Sequence, residues 1–514
     1  MATEIELKYL LTDSDVAERL SHLLSQQQIK FSQGIKTLTN TYFDSKDFVL
    51  RRHDIGLRIR SFDNGTKEQT IKLAGQVVGG LHSRPEYNVP IDSEYPDLTL
   101  FDDTIWPDNF ALEQVNSQLL PIFSTDFTRH FYHIHAADGS EIELVFDQGK
   151  ITSADKQRDI YELEIELLSG DKQSLFDLAR LLFAHFNMRP GTLSKAARGY
   201  QLSSLYKQHR QQSKPSETQR NVFDEQAQNL RIDLTSDQPL LASFQFGMQQ
   251  CLQHIQQLTA KCINDPQLDK LKSISDTLAL ARHGIWLYSD YLPSHASEQL
   301  RQQIKAILTE LSWVKTASQI KELTARKGNY RKKIENSEEL LATLKEQRHQ
   351  LMQKKQIKSL LQSERFNNLQ LSVLAISIED LPEPENCPQL MDLAPSWLSI
   401  NLATLQQNMP IDKPFSATDY INNHQHVVYS LLTGSWFGRL YNIDERRQFR
   451  GPWLDIHHGI DELETLYFLM HYLQQHHFGS HAKLVGWLND KIDSLLVALE
   501  HTRKAAFTVK PYWM

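Results

Sequence analysis

Cysteine is scarce in this chain: Cys251, Cys262 and Cys387 are the only three in 514 residues, and no CxxC pair occurs. So sparse and odd a set rules out a disulfide scaffold and reads as free thiols in a reducing cytosol. Positive charge is not in excess either. With 55 Lys and Arg against 63 Asp and Glu, the formal net charge is −8, which argues against general nucleic-acid binding, since such surfaces are basic. No stretch is long and apolar enough to span a bilayer. Met1-Ala2-Thr3-Glu4 lacks the basic and apolar regions of a secretory signal. The expectation is a cytoplasmic protein without membrane association. Gly75 to Gly80 lacks the Lys-Ser/Thr of a phosphate loop and the strand-to-helix context of a dinucleotide loop. His457, His458, His476, His477 and His481 show no HExxH or Cys/His ligand spacing, so no zinc site is expected.

What the chain does have is a recurring alternation. In Glu4-Ile5-Glu6-Leu7-Lys8 the charged side chains fall on one face of an extended strand and the aliphatic ones on the other. Gly56-Leu57-Arg58-Ile59-Arg60 and Thr70-Ile71-Lys72-Leu73 repeat it with bases. Arg84 and Glu86 stand two apart, and Arg129 sits in the aromatic run Phe127 to Tyr132. Glu141-Ile142-Glu143-Leu144-Val145-Phe146-Asp147 and Tyr161-Glu162-Leu163-Glu164-Ile165-Glu166-Leu167 repeat it with acids. Gly, Asn, Asp and Pro punctuate these short runs, which suits an antiparallel, meander-like sheet.

Pooled, the charged faces hold Arg, Lys, Glu and Asp rather than the mixed polar residues of an ordinary solvated face. Closing the sheet into a barrel turns the charges inward and lets helices cover the apolar outside. Val16 to Leu24 and Leu175 to Phe186 are amphipathic candidates for that cover. Lys8, Arg58, Arg60, Lys72, Arg84 and Arg129 then demand a polyanion, while Glu4, Glu6, Glu86, Asp147, Glu162 and Glu164 demand cations. A metal-bound polyphosphate meets both demands, because arginine forks match phosphate oxygens and carboxylates hold hard divalent ions.

This ordered set resembles the ExExK signature and lining residues of the CYTH superfamily, the triphosphate tunnel metalloenzymes. The resemblance implies an eight-stranded antiparallel tunnel with flanking helices, acting on triphosphates with Mg²⁺ or Mn²⁺. Carried over, Lys8, Arg58, Arg60, Lys72, Arg84, Arg129 and Lys195 would grip phosphate oxygens. Glu162 and Glu164 would ligate metal with Glu86 and Asp147, and Glu4 and Glu6 would hold a second metal or orient the attacking water. Which pair of Glu162, Glu164 and Glu166 binds metal stays open, as does whether Glu141 and Glu143 line the lumen. The expected reaction is hydrolysis of inorganic triphosphate, with Glu4, Glu6 and Lys8 catalytic. Thiamine triphosphate or another organic triphosphate, or plain polyphosphate binding, is the alternative.

Beyond Tyr206 the character changes. The boundaries read as 1–206 for the tunnel, 207–220 for a polar linker and 221–514 for an all-helical bundle in two halves, an α+β chain overall. Leu252, Ile255, Leu258 and Thr259 fall at helical spacing, as do Leu300, Ile304, Ile307, Leu308 and Leu311. A long charged helix is expected from Glu338 towards Leu361, and an irregular proline-bearing connection from Asp380 to Ser396. A tunnel followed by helices resembles the CYTH–CHAD architecture, in which the CHAD helices are dense in His, Arg and Lys and bind polyphosphate. Here the corresponding segments read Asp269-Lys270-Leu271-Lys272-Ser273-Ile274-Ser275-Asp276 and Asp455 to Glu464, a departure that puts polyphosphate binding by this domain in question. Arg326, Lys327, Arg331, Lys332 and Lys333, and Lys354, Lys355 and Lys358, read as solvated helix faces.

Overall fold

The computed structural model describes residues 2–13, 15–154, 156–212, 230–326, 328, 330–334, 338–382, 387–475 and 482–514, with residues 2–4, 76, 208, 210–212 and 331 described by backbone alone. Two compact units emerge, one of Met1–Glu225 with Leu361–Leu371, the other of Gln226–Leu360 with Ser372–Met514.

In the first unit the alternating segments form strands β1 (Ala2–Leu10), β2 (Lys30–Asp44), β3 (Gly56–Phe62), β4 (Lys67–Lys72), β5 (Gln76–Val78), β6 (Leu81–Pro90), β7 (Leu120–His135), β8 (Glu141–Ser153), β9 (Lys156–Ser169) and β10 (Arg189–Pro190). Hydrogen bonding runs β1-β9-β8-β7-β2-β3-β4-β6, and β6 pairs back onto β1, so eight antiparallel strands close a barrel; β5 and β10 are short additions. Closure rests on β1, which lies between β6 and β9: Glu4 stands opposite Arg84, and Glu6 opposite both His82 and Glu166.

Outward-facing Leu57, Ile59 and Ile71 bury against Leu50, Leu98, Phe101, Ile105 and Val115 from the segments between strands. Helices α1 (Val16–Gln26) and α2 (Lys172–Phe183), which begin within a few residues of their expected positions, bury Leu20, Leu23 and Leu24 and Leu175, Ala179 and Leu182 respectively. The inside is apolar at one end only. There Leu38, Tyr42, Phe123, Phe127, Ile151 and Ile160 pack with Tyr200 of a short helix, Lys195–Leu202. Ser194 caps this helix by accepting from the Ala197 N–H. Gly199 makes the fit: a Cβ there would stand 2.1 Å from the Phe123 ring. Residues 207–212, read as the start of a linker, complete a helix from Ser204 to Gln212. The remainder of that segment, 213–220, lies outside the described residues.

The second unit is helical among its described residues. Trp436 is fully buried, its indole N–H donating to the Leu280 carbonyl at 3.0 Å. A Cβ at Gly284 would lie 1.9 Å from that ring, so only glycine admits it. The expected long helix is two, Glu338–Leu351 and Lys354–Leu361. Leu340 and Leu344 are buried in the first and Ile357 and Leu361 in the second. Seventeen residues separate each pair, and at 100° per residue one continuous helix would set the two apolar stripes about 100° apart. The expected irregular connection ends earlier than read, because a capping box between Gln389 and Asp392 starts the helix Leu390–Asn408 and leaves Pro395 inside it. Among the described residues no helix is long and apolar enough to cross a membrane.

Candidate active site

Parity carries the charged side chains of the barrel strands inward, around a cavity of about 460 Å³. Strand order then sorts them. Adjacent strands β3, β4 and β6 present Arg58, Arg60, Lys72 and Arg84 to the cavity, with Glu86 among them. Adjacent strands β1, β9 and β8 present Glu6, Glu164, Glu166 and Glu143. The barrel therefore has a basic wall and an acidic wall.

On the basic wall Glu86 is gripped by Lys72 at 2.7 Å and Arg58 at 3.4 Å. Arg60 donates to the Asn40 side-chain oxygen at 2.8 Å. Burial, together with the charges of Arg58 and Arg129, lowers its guanidinium to about 9. A guest anion would relieve that repulsion. Among the described residues, Arg84 Nε is buried without a hydrogen-bond partner, as is the Thr70 hydroxyl on the same lining.

On the acidic wall Glu6, Glu166 and Glu143 form one row, since Glu166 stands directly opposite Glu6 on one side and Glu143 on the other. Like charges directly opposite in a sheet destabilise it. Lys8 offsets part of this from 3.1 Å of Glu6, and His133 lies 3.2 Å from Glu143. The donors are carboxylate oxygens, the chemistry that suits Mg²⁺ or Mn²⁺. In donor chemistry, though not by any distance, these residues suit a hard divalent cation.

Between the walls and the apolar plug lies an ion-paired floor. Lys195 Nζ is 2.8 Å from both Asp147 and Glu164, and Lys8 Nζ is 2.9 Å from Glu164. Arg129 binds Asp147 through two contacts of 2.8 Å and reaches Glu164 at 3.1 Å. Glu162, fully buried, is held by Arg198 and by Lys195. Burial pushes the Glu164 and Asp147 carboxyls up, but the charges of Lys195, Lys8 and Arg129 beside Glu164, and of Arg129 and Lys195 beside Asp147, outweigh it and hold both below the usual range. Burial likewise lowers the Lys8 ammonium, yet Glu164, Glu6 and Glu162 raise it well above its ordinary value. These shifts all favour the charged forms, in keeping with the ion pairs that join the groups.

The structure brings Glu6, Lys8, Arg58, Arg60, Lys72, Arg84, Glu86, Arg129, Glu164 and Lys195 to one cavity. Asp147 and Glu162 lie at its floor, fully buried within ion pairs. The Glu4 side chain lies outside the described residues; its backbone faces Arg84. Glu141 is exposed at the strand end, whereas Glu143 lines the cavity. Arg198 and His82 were not foreseen. Arg198 follows Lys195 by three on a helix and His82 precedes Arg84 by two on a strand, and both spacings put them beside known members of the site. Burial, with Lys8 nearby, lowers the His82 imidazole to about 4, and it bonds the Gly191 carbonyl at 3.0 Å.

The first unit is thus a closed antiparallel tunnel lined by a basic wall and an acidic wall. Residues 2–200 match the CYTH domain and residues 247–425 match the CHAD domain. An inorganic triphosphatase of Haemophilus influenzae is 41% identical over 206 residues, which cover 40% of this chain and 56% of that protein. The match thus spans little more than half the length of that relative. Two solved structures are also similar. One is a putative adenylyl cyclase from Hippeastrum described as having a dominant triphosphatase activity: 19% identical, TM-score 0.31, covering 39% of this chain and 98% of its own. The other is the CHAD domain of the plant Ricinus communis: 16% identical, TM-score 0.43, covering 55% of this chain and 96% of its own.

Proposed function

We propose that the barrel hydrolyses inorganic triphosphate to diphosphate and phosphate with Mg²⁺ or Mn²⁺. The observation that carries this reading is the division of the lining into two walls. A pure anion binder gains nothing from the row Glu6, Glu166 and Glu143, which repels phosphate, and a pure cation site gains nothing from Arg58, Arg60, Lys72 and Arg84. The 41% identity to an inorganic triphosphatase over 206 residues supports the same substrate.

Phosphoryl transfer needs positioning and charge neutralisation more than covalent help. The basic wall, with Arg129, Lys8 and Lys195, grips the phosphate oxygens. Glu6, with Glu4 on the same face of the strand, orients the attacking water and accepts its proton. The water oxygen bonds the terminal phosphorus as the bridging P–O bond breaks, and the electron pair leaves with diphosphate, whose charge the arginines offset. A divalent cation, when bound by Glu6, Glu143, Glu164 and Glu166, would supply neutralisation of phosphate charge from the opposite wall. Asp147 and Glu162 act from the floor, holding Arg129, Lys195 and Arg198 in place. The free thiols Cys251, Cys262 and Cys387 fit a reducing, cytoplasmic setting.

The test is phosphate release from inorganic triphosphate, ATP and thiamine triphosphate, each with Mg²⁺ and with Mn²⁺. Inorganic triphosphate should give the highest kcat/KM. Conversion of ATP to a cyclic nucleotide with triphosphate left intact would overturn the proposal, and preference for thiamine triphosphate would replace its substrate.

A further inference from the structure

In the helical unit, far along the sequence from the tunnel residues, helix Ala417–Phe437 packs against helix Ile443–Gln475. His457 and Asp461 are four apart on the second helix and so share a face. His424, on the first, meets them. Its Nε2 lies 2.7 Å from His457 Nδ1 and 3.8 Å from Asp461 Oδ1, and one donor atom from each of the residues falls within 4.8 Å of the others. Ligands of a tetrahedral zinc ion with bonds of about 2.1 Å stand about 3.4 Å apart, a value these distances bracket. The other nitrogen of His424, Nδ1, faces Glu464 Oε1 at 3.7 Å, and Lys315 anchors that carboxylate at 2.7 Å. A ligand histidine whose free nitrogen points at a carboxylate is the usual outer support of a metal site. The side chains of His424, His457, Asp461 and Glu464 are each no more than 36% exposed.

We propose that His424, His457 and Asp461 form a site for a transition-metal dication of the Zn²⁺ type, with a fourth position open to water or an added ligand. Imidazole donors favour Zn²⁺ over Mg²⁺, so this site and the all-carboxylate wall of the barrel would take different ions. The proposal does not depend on the triphosphatase reading.

The test uses the full chain, free of any affinity tag and stripped with a chelator. Equilibrium dialysis against Zn²⁺ should show His424→Gln and His457→Gln each binding one ion fewer per chain than the wild type. Co²⁺ should give the wild type a visible absorption band of tetrahedral intensity that both variants lack. Asp461→Asn should weaken Zn²⁺ binding by at least tenfold. Phosphate release from inorganic triphosphate with Mg²⁺ should stay within twofold in all three variants. Circular dichroism of the metal-free proteins checks folding, and if one histidine variant fails to fold, the other decides. Equal Zn²⁺ content in the wild type and a folded histidine variant, or a Co²⁺ spectrum unchanged by the substitution, overturns the proposal and leaves a hydrogen-bonded imidazole pair.

Discussion

Glu6 and Arg58 illustrate how little a single residue's position says about its task until its neighbours are known. Glu6 has a lysine 3.1 Å away and a carboxylate directly opposite in register. Replacing it by Gln keeps the shape and removes the carboxylate proposed to accept the proton. Glu6→Gln is therefore expected to lower kcat for triphosphate hydrolysis by on the order of 10² or more, while triphosphate still binds by calorimetry; an unchanged kcat would remove Glu6 from the mechanism. Arg58 is on the opposite wall, partly neutralised by Glu86. Arg58→Ala should raise the dissociation constant of triphosphate by the equivalent of about 1–3 kcal/mol, the usual range for a lost charged hydrogen-bond partner. If the affinity does not change, Arg58 does not touch substrate. The inward orientation of both was legible from alternation alone. Their separation onto different walls was not, because parity says which face a side chain takes and nothing about which strand lies across the lumen.

At the scale of elements, the strand pattern was the strongest signal and the plug the weakest. The segments of strict alternation all became barrel strands, since a one-residue slip would bury every charge in the apolar cover. The helix Lys195–Leu202 is only eight residues long, with apolar residues too few to announce a closing element. Its fit depends on Gly199 against Phe123. Gly199→Val should force this helix off the barrel end, destabilising the first unit by about 1–3 kcal/mol as overpacking usually does. Because Lys195 and Arg198 ride on the same helix, KM for triphosphate should rise as well. Thermal unfolding and steady-state kinetics check the two effects together, and an unchanged unfolding temperature with an unchanged KM would mean the helix does not plug the barrel. In the second unit the break between Glu338–Leu351 and Lys354–Leu361 shows the converse failure. Composition favoured one helix, and the placement of buried leucines required two.

At the scale of the whole molecule, buried histidine gives stability a pH dependence of known sign. His283 is buried and bonded to the Thr433 hydroxyl at 2.8 Å; burial, and then the Arg282 charge, lowers its imidazole to about 3. The folded state thus keeps it neutral, while the unfolded chain protonates it below its ordinary value of 6.5. Its contribution is fully present above pH 6.5 and is lost as pH falls from there. Between pH 6.5 and 4 the wild type should lose roughly 3 kcal/mol more unfolding free energy than His283→Gln, by proton linkage. Denaturant titrations at the two pH values measure this, and parallel losses would show that His283 is already accessible to protons when folded.

Alternating charge and the switch to helical spacing after Tyr206 determined, from sequence alone, a charged tunnel followed by a helical region. They did so because period-two and period-3.6 patterns are local properties that burial must respect. Only tertiary structure decided that β1 would lie between β6 and β9, that acids and bases would face each other across one cavity, and that His424 would meet His457 and Asp461 from another helix. Each of these joins residues far apart in the chain, and pairing of that kind depends on how whole faces fit together rather than on any run of neighbouring side chains.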